Sequence, residues 1–575
     1  MDLRMDLRNL PKHGNSHLTR LLATTLATSL ILAIASALAG AQTTLPANAA
    51  PAAPALSGGD KLLGEYGPYR ANNDLLHYNL HVRIDPATQF LRGMNAIRFR
   101  MLEDGKRIQL DLVPTFQIDG IALEREKGEP TQLIYQRAGG RTIFIDFPHT
   151  LRKGRVYTVD FRYSGHPVEM GRFGGFVFRK DPMGRPLVNT ACEEEGASVW
   201  WPNKDQWRDE VESMDMSVEA PSNLVEVSGG RFQGKTDLKD GFTRWAWKVQ
   251  YPINNYDVSI NIGTYTHFSD IYNGLSLDYY VFPEDLDKAK HQFMQVKDML
   301  KAYEHLFGEY PFPKDGYKLI EALYSGVENQ TAITYGNHFE NGYLGRPKTG
   351  IGTWFDFIII HESAHEWFGN SITARDRSDM WIHEGWANYC ESLFVEQMWG
   401  KENGLIYLNT GKDNVKNALP VISEEGIYAT PPPDQYKKGG LFLNTVRSVV
   451  NDDALWFKLL RDYYQHFKYQ TIMTTDVAAF FNAETGLNLT PIFNEYLRHA
   501  PIPTLELRFD EAAHTVSYKW QAEVPEFAMP IRVGSKNNWQ IVQPVTTEWK
   551  TLSSTEHKED FEVATDLYYV NVHKL

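Results

Sequence analysis

Between residues 60 and 270, apolar and polar residues alternate with the two-residue period of half-buried strands. In His77-Tyr78-Asn79-Leu80-His81-Val82-Arg83-Ile84 every second side chain is apolar. Arg141 to Phe147 and Val156 to Phe161 repeat the pattern between Gly and Pro turns. A large antiparallel β domain is expected there. From 271 to 500 the spacing becomes that of amphipathic helices, as in Asp285 to Leu306 and Asp452 to Phe467, with Tyr279 to Phe282 and Lys318 to Ile320 reading as strands beneath them. After Pro501-Ile502-Pro503 the strand period returns, including Val516 to Trp520 and Leu567 to Val572, and predicts a small β-sandwich over 501–575. The chain thus reads as a multidomain α+β protein. Ahead of these regions, basic residues through Arg20 precede an apolar run from Leu21 to Leu38 and small residues up to Ala41. That is the layout of an export signal over 1–41, followed by an Ala- and Pro-rich linker over 42–59.

One helical segment carries the chemistry. His361-Glu362-Ser363-Ala364-His365 places two imidazoles four residues apart, on one face of a helix, where both can reach the same metal ion. Glu362 lies beside them and is free to handle a proton. After a polar loop, a second helical pattern from Trp381 to Trp399 presents Glu384 in its first turn, with 18 residues between it and His365. Two histidines and one carboxylate leave a coordination position open, as hydrolytic zinc sites require. Trp354 to Ile360 is almost wholly apolar, so the helix is buried and its polar residues need partners. The reading is one zinc per chain on His361, His365 and Glu384. The metzincin pattern is excluded, because the positions that would need Gly and His hold Phe368 and Ser371.

With Glu384 inside Trp381-Ile382-His383-Glu384-Gly385-Trp386-Ala387-Asn388-Tyr389, the segment resembles the gluzincin aminopeptidases of the aminopeptidase N and leukotriene hydrolase family. Ser325-Gly326-Val327-Glu328-Asn329 resembles that family's G-x-M-E-N element, with Ala332 to Tyr335 as its L-I-T-Y. Tyr436-Lys437-Lys438-Gly439-Gly440 is similar to its Y-x-K-G-A, and Thr190-Ala191-Cys192-Glu193, with Trp201-Pro202 behind it, to its T-Q-x-E/Q. The likeness runs over roughly 60 to 505. It implies a thermolysin-like catalytic domain over 271–500 and an exported bacterial-type enzyme that removes N-terminal residues from peptides. Glu362 would be the general base and Tyr436 the oxyanion donor. Glu193 and Glu328 would grip the free α-ammonium, with Ser325, Gly326, Val327 and Asn329 along the substrate. Two competing readings are a zinc endopeptidase, which needs neither Glu193 nor Glu328, and a non-catalytic peptidase-like scaffold, against which the intact set of His361, Glu362, His365, Glu384 and Tyr436 stands.

The chain also departs from the family pattern. Ser325-Gly326 replaces Gly-Ala, Val327 replaces Met, and His383 stands where the family has Asn. His383 lies about 100° round the helix from Glu384, so a supporting role is expected rather than a fourth ligand. Nothing after 500 has the helical period of the long capping domain of larger members. The expected cleft is more open than theirs, unless a second copy covers it as a homodimer.

Composition narrows the partners. A formal net charge of −14 over 575 residues, without basic clusters, disfavours nucleic acid and anionic membrane surfaces. The export signal implies a periplasmic or secreted protein with no stable membrane insertion once cleaved, an uncleaved anchor being the alternative. The two cysteines, Cys192 and Cys390, are read as free thiols. The sequon Asn329-Gln330-Thr331 falls inside the substrate motif, where a glycan would block the cleft.

Overall fold

The computed structural model describes residues 58–346, 350–535 and 538–575. The export signal and nearly all of the linker lie outside them. Among the described residues no helix is long and apolar enough to cross a membrane.

The alternating segments of the N-terminal region assemble into an eight-stranded sheet, a four-stranded sheet and a three-stranded sheet. Asn73–Asp85 shows the predicted period directly, with Leu76, Tyr78, Leu80, Val82 and Ile84 buried. It pairs antiparallel with Phe90–Met101, as expected for a hairpin. Its other neighbour, Ser213–Pro221, runs parallel to it, in the register His77 to Ser213 through Arg83 to Glu219. Among the described residues it is the one parallel pairing in an otherwise antiparallel sheet. The chain between the two strands passes through the four-stranded sheet before returning, and so long a connection permits a parallel pairing that a hairpin turn forbids.

The four-stranded sheet has the order Val225–Ser228, Ile260–Gly263, Pro186–Ala191, Gly175–Lys180. Pro186–Ala191 delivers the chain to Glu193. A further five-stranded sheet is built from Thr266–Tyr272, Leu275–Val281, Tyr317–Glu321, Ile333–Tyr335 and Gly326–Val327, the last a two-residue strand at its edge. Helices pack beside that edge strand. Phe357–Ala364 is N-capped by Asp356, whose carboxylate accepts from the backbone N–H groups of Ile358 and Ile359. Trp381–Trp399 is buried over its first fifteen residues, which is why its sequence shows little polar face.

Two sequence readings shift by local chemistry. The segment Asp285 to Leu306 forms two helices, Leu286–Gln292 and Gln295–Phe307, broken at Phe293 and Met294. The segment Leu567 to Val572 is strand only in Asn571–Lys574. Tyr568, Tyr569 and Val570 are all buried in succession rather than alternately. Tyr569 donates its backbone N–H to Thr445 Oγ1, and the Tyr568 hydroxyl donates to the Ser448 carbonyl, so the segment docks on the helix Asp434–Val450. The C-terminal strands form a four-stranded and a three-stranded sheet.

The helices Trp381–Trp399 and Asp434–Val450 approach each other at glycine. A Cβ on Gly439 would lie 2.7 Å from Gly385 Cα, and one on Gly385 would lie 3.1 Å from Gly439 Cα. This contact brings Tyr436, one turn before Gly439, against Glu384, one residue before Gly385. Gly439→Ala is expected to destabilise the fold by about 1–3 kcal/mol through overpacking. Urea denaturation followed by circular dichroism measures this, and an unchanged midpoint would show that the helices can part freely.

Candidate active site

The helix Phe357–Ala364 ends one residue before His365, which caps it with helical dihedrals and so stays in line with His361. His361 Nε2 lies 3.3 Å and His365 Nε2 3.5 Å from the same oxygen of Glu384, Oε2. The opposite ring nitrogens are already engaged. His361 Nδ1 is 2.8 Å from Glu391 Oε1, and His365 Nδ1 is 3.0 Å from the Phe368 carbonyl. Both partners are acceptors, so each ring carries its proton on Nδ1 and turns the Nε2 lone pair inward. His365 Nε2 and Glu384 Oε2 are buried and have no hydrogen-bond partner. Buried orphans of this kind are costly, and a dication satisfies all three donors, which lie within 4.8 Å of one another.

The electrostatics agree. Burial disfavours the charged form of His361, but Glu384 and Glu391 outweigh it and push its pKa up to about 10, so that with no cation between Nε2 and Glu384 a second proton takes that place. A field that holds a proton so tightly also attracts a metal ion. Two imidazoles, one carboxylate and outer partners that set the tautomers are the donor chemistry of zinc.

Glu391 was not singled out from the sequence. It lies seven residues after Glu384, two turns along the same face, and that spacing was the available signal. Its carboxylate accepts from the Asn388 amide at 2.8 Å and the Tyr407 hydroxyl at 2.6 Å, with Lys437 Nζ at 3.5 Å. Burial alone would raise its pKa, yet Lys437, His361 and Tyr407 hold it down to about 2. It is a permanent anion against the first histidine.

Glu362 projects into a cavity of about 210 Å³ walled also by Glu193, Ser325 to Glu328, His361, Glu384 and Tyr436. Burial, followed by repulsion from Glu384 and Glu193, outweighs the two histidines and raises its carboxyl to about 7. Gly326 makes room for it: a Cβ there would lie 2.8 Å from both Glu362 Oε1 and Ile358 Cγ2. That accounts for the glycine at this position of the edge strand. Tyr436 stands across the cavity with its ring stacked toward His361 at 6.2 Å. Burial first, and the Glu384 charge next, push its phenol well above the usual range, so it remains a donor.

Glu193 and Glu328 meet beside the metal-ligand set. Glu328 Oε2 is 3.7 Å from His365 Nε2. Glu193 Oε1 and Glu328 Oε1 are 3.5 and 4.0 Å from His383 Nδ1. Burial and the neighbouring carboxylates Glu193, Glu384 and Glu362 drive the Glu328 carboxyl well above its ordinary range. The pair therefore lacks positive charge. Asn329 is buried and does not wall the cavity, so the sequon is shielded from glycosylation. Ser325 Oγ accepts from the Tyr343 hydroxyl at 3.3 Å, at the cavity's outer edge. Cys192 and Cys390 are free, buried thiols.

Known proteins match this arrangement. The model of the peptidase family M1 domain matches residues 291–496, and that of the peptidase M1 N-terminal domain matches residues 75–256, together more than half of the chain. Human endoplasmic reticulum aminopeptidase 1 is 24% identical over 371 residues, covering 62% of this chain and 39% of that protein. Human glutamyl aminopeptidase is 21% identical over 465 residues, covering 75% of this chain and 47% of that protein. The chain thus matches less than half the length of these relatives. An M1 zinc metallopeptidase from Deinococcus radiodurans superposes with a TM-score of 0.62 at 19% identity, over 75% of this chain and 94% of that one. At that identity the likeness is one of fold.

Glu391→Gln keeps a hydrogen-bonding group but removes the anion. It is expected to weaken zinc affinity about 10–100-fold, measured by chelator competition on the purified protein. An unchanged dissociation constant would mean that Glu391 serves folding alone.

Proposed function

We propose, for a chain that belongs to peptidase family M1, that it is a zinc aminopeptidase releasing single residues from the free N-termini of peptides. The observation that carries this reading is the buried Glu193–Glu328 pair beside the metal-ligand set, short of one cation that an α-ammonium would supply. The names of the relatives, aminopeptidases of several kinds, agree with it.

Zinc held by His361, His365 and Glu384 would supply Lewis acidity, polarising the scissile carbonyl and making a water molecule more acidic at neutral pH. Glu362, poised near neutrality, accepts the proton of the attacking water and passes it to the leaving nitrogen. The Tyr436 phenol donates to the oxyanion as it forms, a contribution worth about 10²–10³ in rate. Gly326–Val327 is an edge strand, and its outward backbone groups are available to pair with an extended peptide. Glu193 and Glu328 receive the ammonium through charge-assisted hydrogen bonds of about 1.5–3 kcal/mol each. Export to the periplasm or beyond, from the apolar run Leu21 to Leu38, belongs to the same proposal.

Fluorogenic aminoacyl substrates and peptides, each with a free or an acetylated N-terminus, test the reading. Wild type is expected to cleave only the free form, and Glu362→Gln to lose about 10²–10⁴ in kcat while still binding zinc. Indifference to acetylation would instead mark an endopeptidase, and equal rates in the two proteins would remove Glu362 from the chemistry.

A further inference from the structure

Facing Glu193 and Glu328 from the first turn of Trp381–Trp399 is His383, a fully buried imidazole that the mechanism above does not use. Glu193, Glu328 and His383 bring one potential ligand atom each to within 4.8 Å, so the cluster has the outline of a second metal site. The hydrogen bonding excludes that. His383 Nε2 faces the backbone N–H of Ala374 at 2.8 Å and accepts from it. An imidazole that accepts through Nε2 carries its proton on Nδ1, so the nitrogen facing the carboxylates has no lone pair for a metal. Full protonation is excluded by the same contact, since a proton on Nε2 would point at the Ala374 N–H.

What remains is a neutral ring with one donor, aimed at two acceptors. Nδ1 has no hydrogen-bond partner, and neither does Glu193 Oε1, the nearest oxygen at 3.5 Å. The ring cannot turn away. Trp207 stacks on it at 5.0 Å and 18°, and Tyr256 lies at 6.1 Å and 26°. The Tyr256 hydroxyl donates to Glu328 Oε1 at 3.4 Å, so each member of the pair faces one neutral donor. Hydrogen bonds of this kind are often long without a ligand and shorten in the complex.

We infer that His383 is a positioning residue of the ammonium site, its Nδ1–H fixing Glu193 Oε1 in the orientation that receives the substrate's amine. The inference rests on the aminopeptidase reading and adds a residue to it. The Ala374 N–H sets the tautomer, the tautomer makes Nδ1 a donor, and the donor aligns the carboxylate. A neutral donor supports the two adjacent carboxylates without competing with the incoming cation, as a charged lysine or arginine would.

The test separates the two nitrogens. In His383→Asn the amide nitrogen takes the place of Nδ1 and nothing accepts from Ala374; in His383→Gln the amide oxygen takes the place of Nε2 and nothing donates to Glu193. KM and kcat on a fluorogenic aminoacyl substrate, zinc content and melting temperature are measured for both variants. The expected result is a KM for His383→Gln about tenfold to a hundredfold above that of His383→Asn, as loss of one hydrogen bond to a charged group implies. Both should hold one zinc per chain, and kcat should change far less than KM. His383→Asn should show the lower melting temperature. Equal KM values in an enzyme that still rejects acetylated substrates, or the higher KM in His383→Asn, overturns the inference alone. A wild type that cleaves acetylated substrates as fast as free ones overturns the function reading and this inference with it.

Discussion

Five buried glutamates, Glu193, Glu328, Glu362, Glu384 and Glu391, converge on two histidines, and the rest of the site depends on how their charge is balanced. An ionised carboxylate removed from water costs several kcal/mol unless paired. Glu391 is neutralised internally by Lys437, Tyr407, Asn388 and His361, which is why it stays ionised. Glu384 shares its oxygen with two imidazole nitrogens whose lone pairs face it, an arrangement that only a cation reconciles. Glu193 and Glu328 are left with neutral donors. The imbalance therefore lies where a peptide's amino end would arrive on the proposed reading.

Holding so many like charges together requires supports drawn from distant parts of the chain. Glu193 follows the strand Pro186–Ala191, and its loop is fixed by two guanidinium groups on backbone carbonyls. Arg141 donates to the Glu195 carbonyl at 2.5 Å and Arg377 to that of Glu194 at 3.1 Å. Arg141 belongs to the β region and Arg377 to the loop before the second metal-binding helix. Tyr428 accepts from both through its hydroxyl. The acidic run Glu193-Glu194-Glu195 is thus held by groups from both sides, and the β region supplies one carboxylate of the Glu193–Glu328 pair as well as supporting it.

The parts of this arrangement legible in the sequence are those governed by short-range geometry. The spacing of His361 and His365 fixes a common face, and the pattern from Trp381 to Trp399 gave a helix with the observed ends. Glu193, Glu328 and Tyr436 came from matching spaced motifs, since no local rule connects residues more than a hundred positions apart. Glu391 escaped because an acid on a helix ordinarily faces water, and only burial makes it consequential. His383 was placed beside the site, but its tautomer depends on a backbone N–H nine residues earlier, at the end of the three-residue strand Ile372–Ala374, which is too short for its periodicity to report. The parallel pairing of Asn73–Asp85 with Ser213–Pro221 was hidden for the same reason: alternation reveals which face is buried but not the direction of the neighbour.

The dimensions of Glu328 bear on why such a site would act at chain ends. Its Oε2 faces His365 Nε2 at 3.7 Å, and its Oε1 faces Tyr256 and His383. One side chain therefore borders both the metal-ligand set and the proposed ammonium site, and the two are separated by the width of a single carboxylate. An α-ammonium and the carbonyl of the same residue are separated by one Cα, a span that fits this gap. An internal segment would have to place its preceding carbonyl beside Glu193 and Glu328, where its oxygen meets two carboxylates whose neutral donors are already turned toward them. In the proposed enzyme, exclusion of internal bonds needs no obstructing loop. It follows from placing two carboxylates one residue away from the scissile bond.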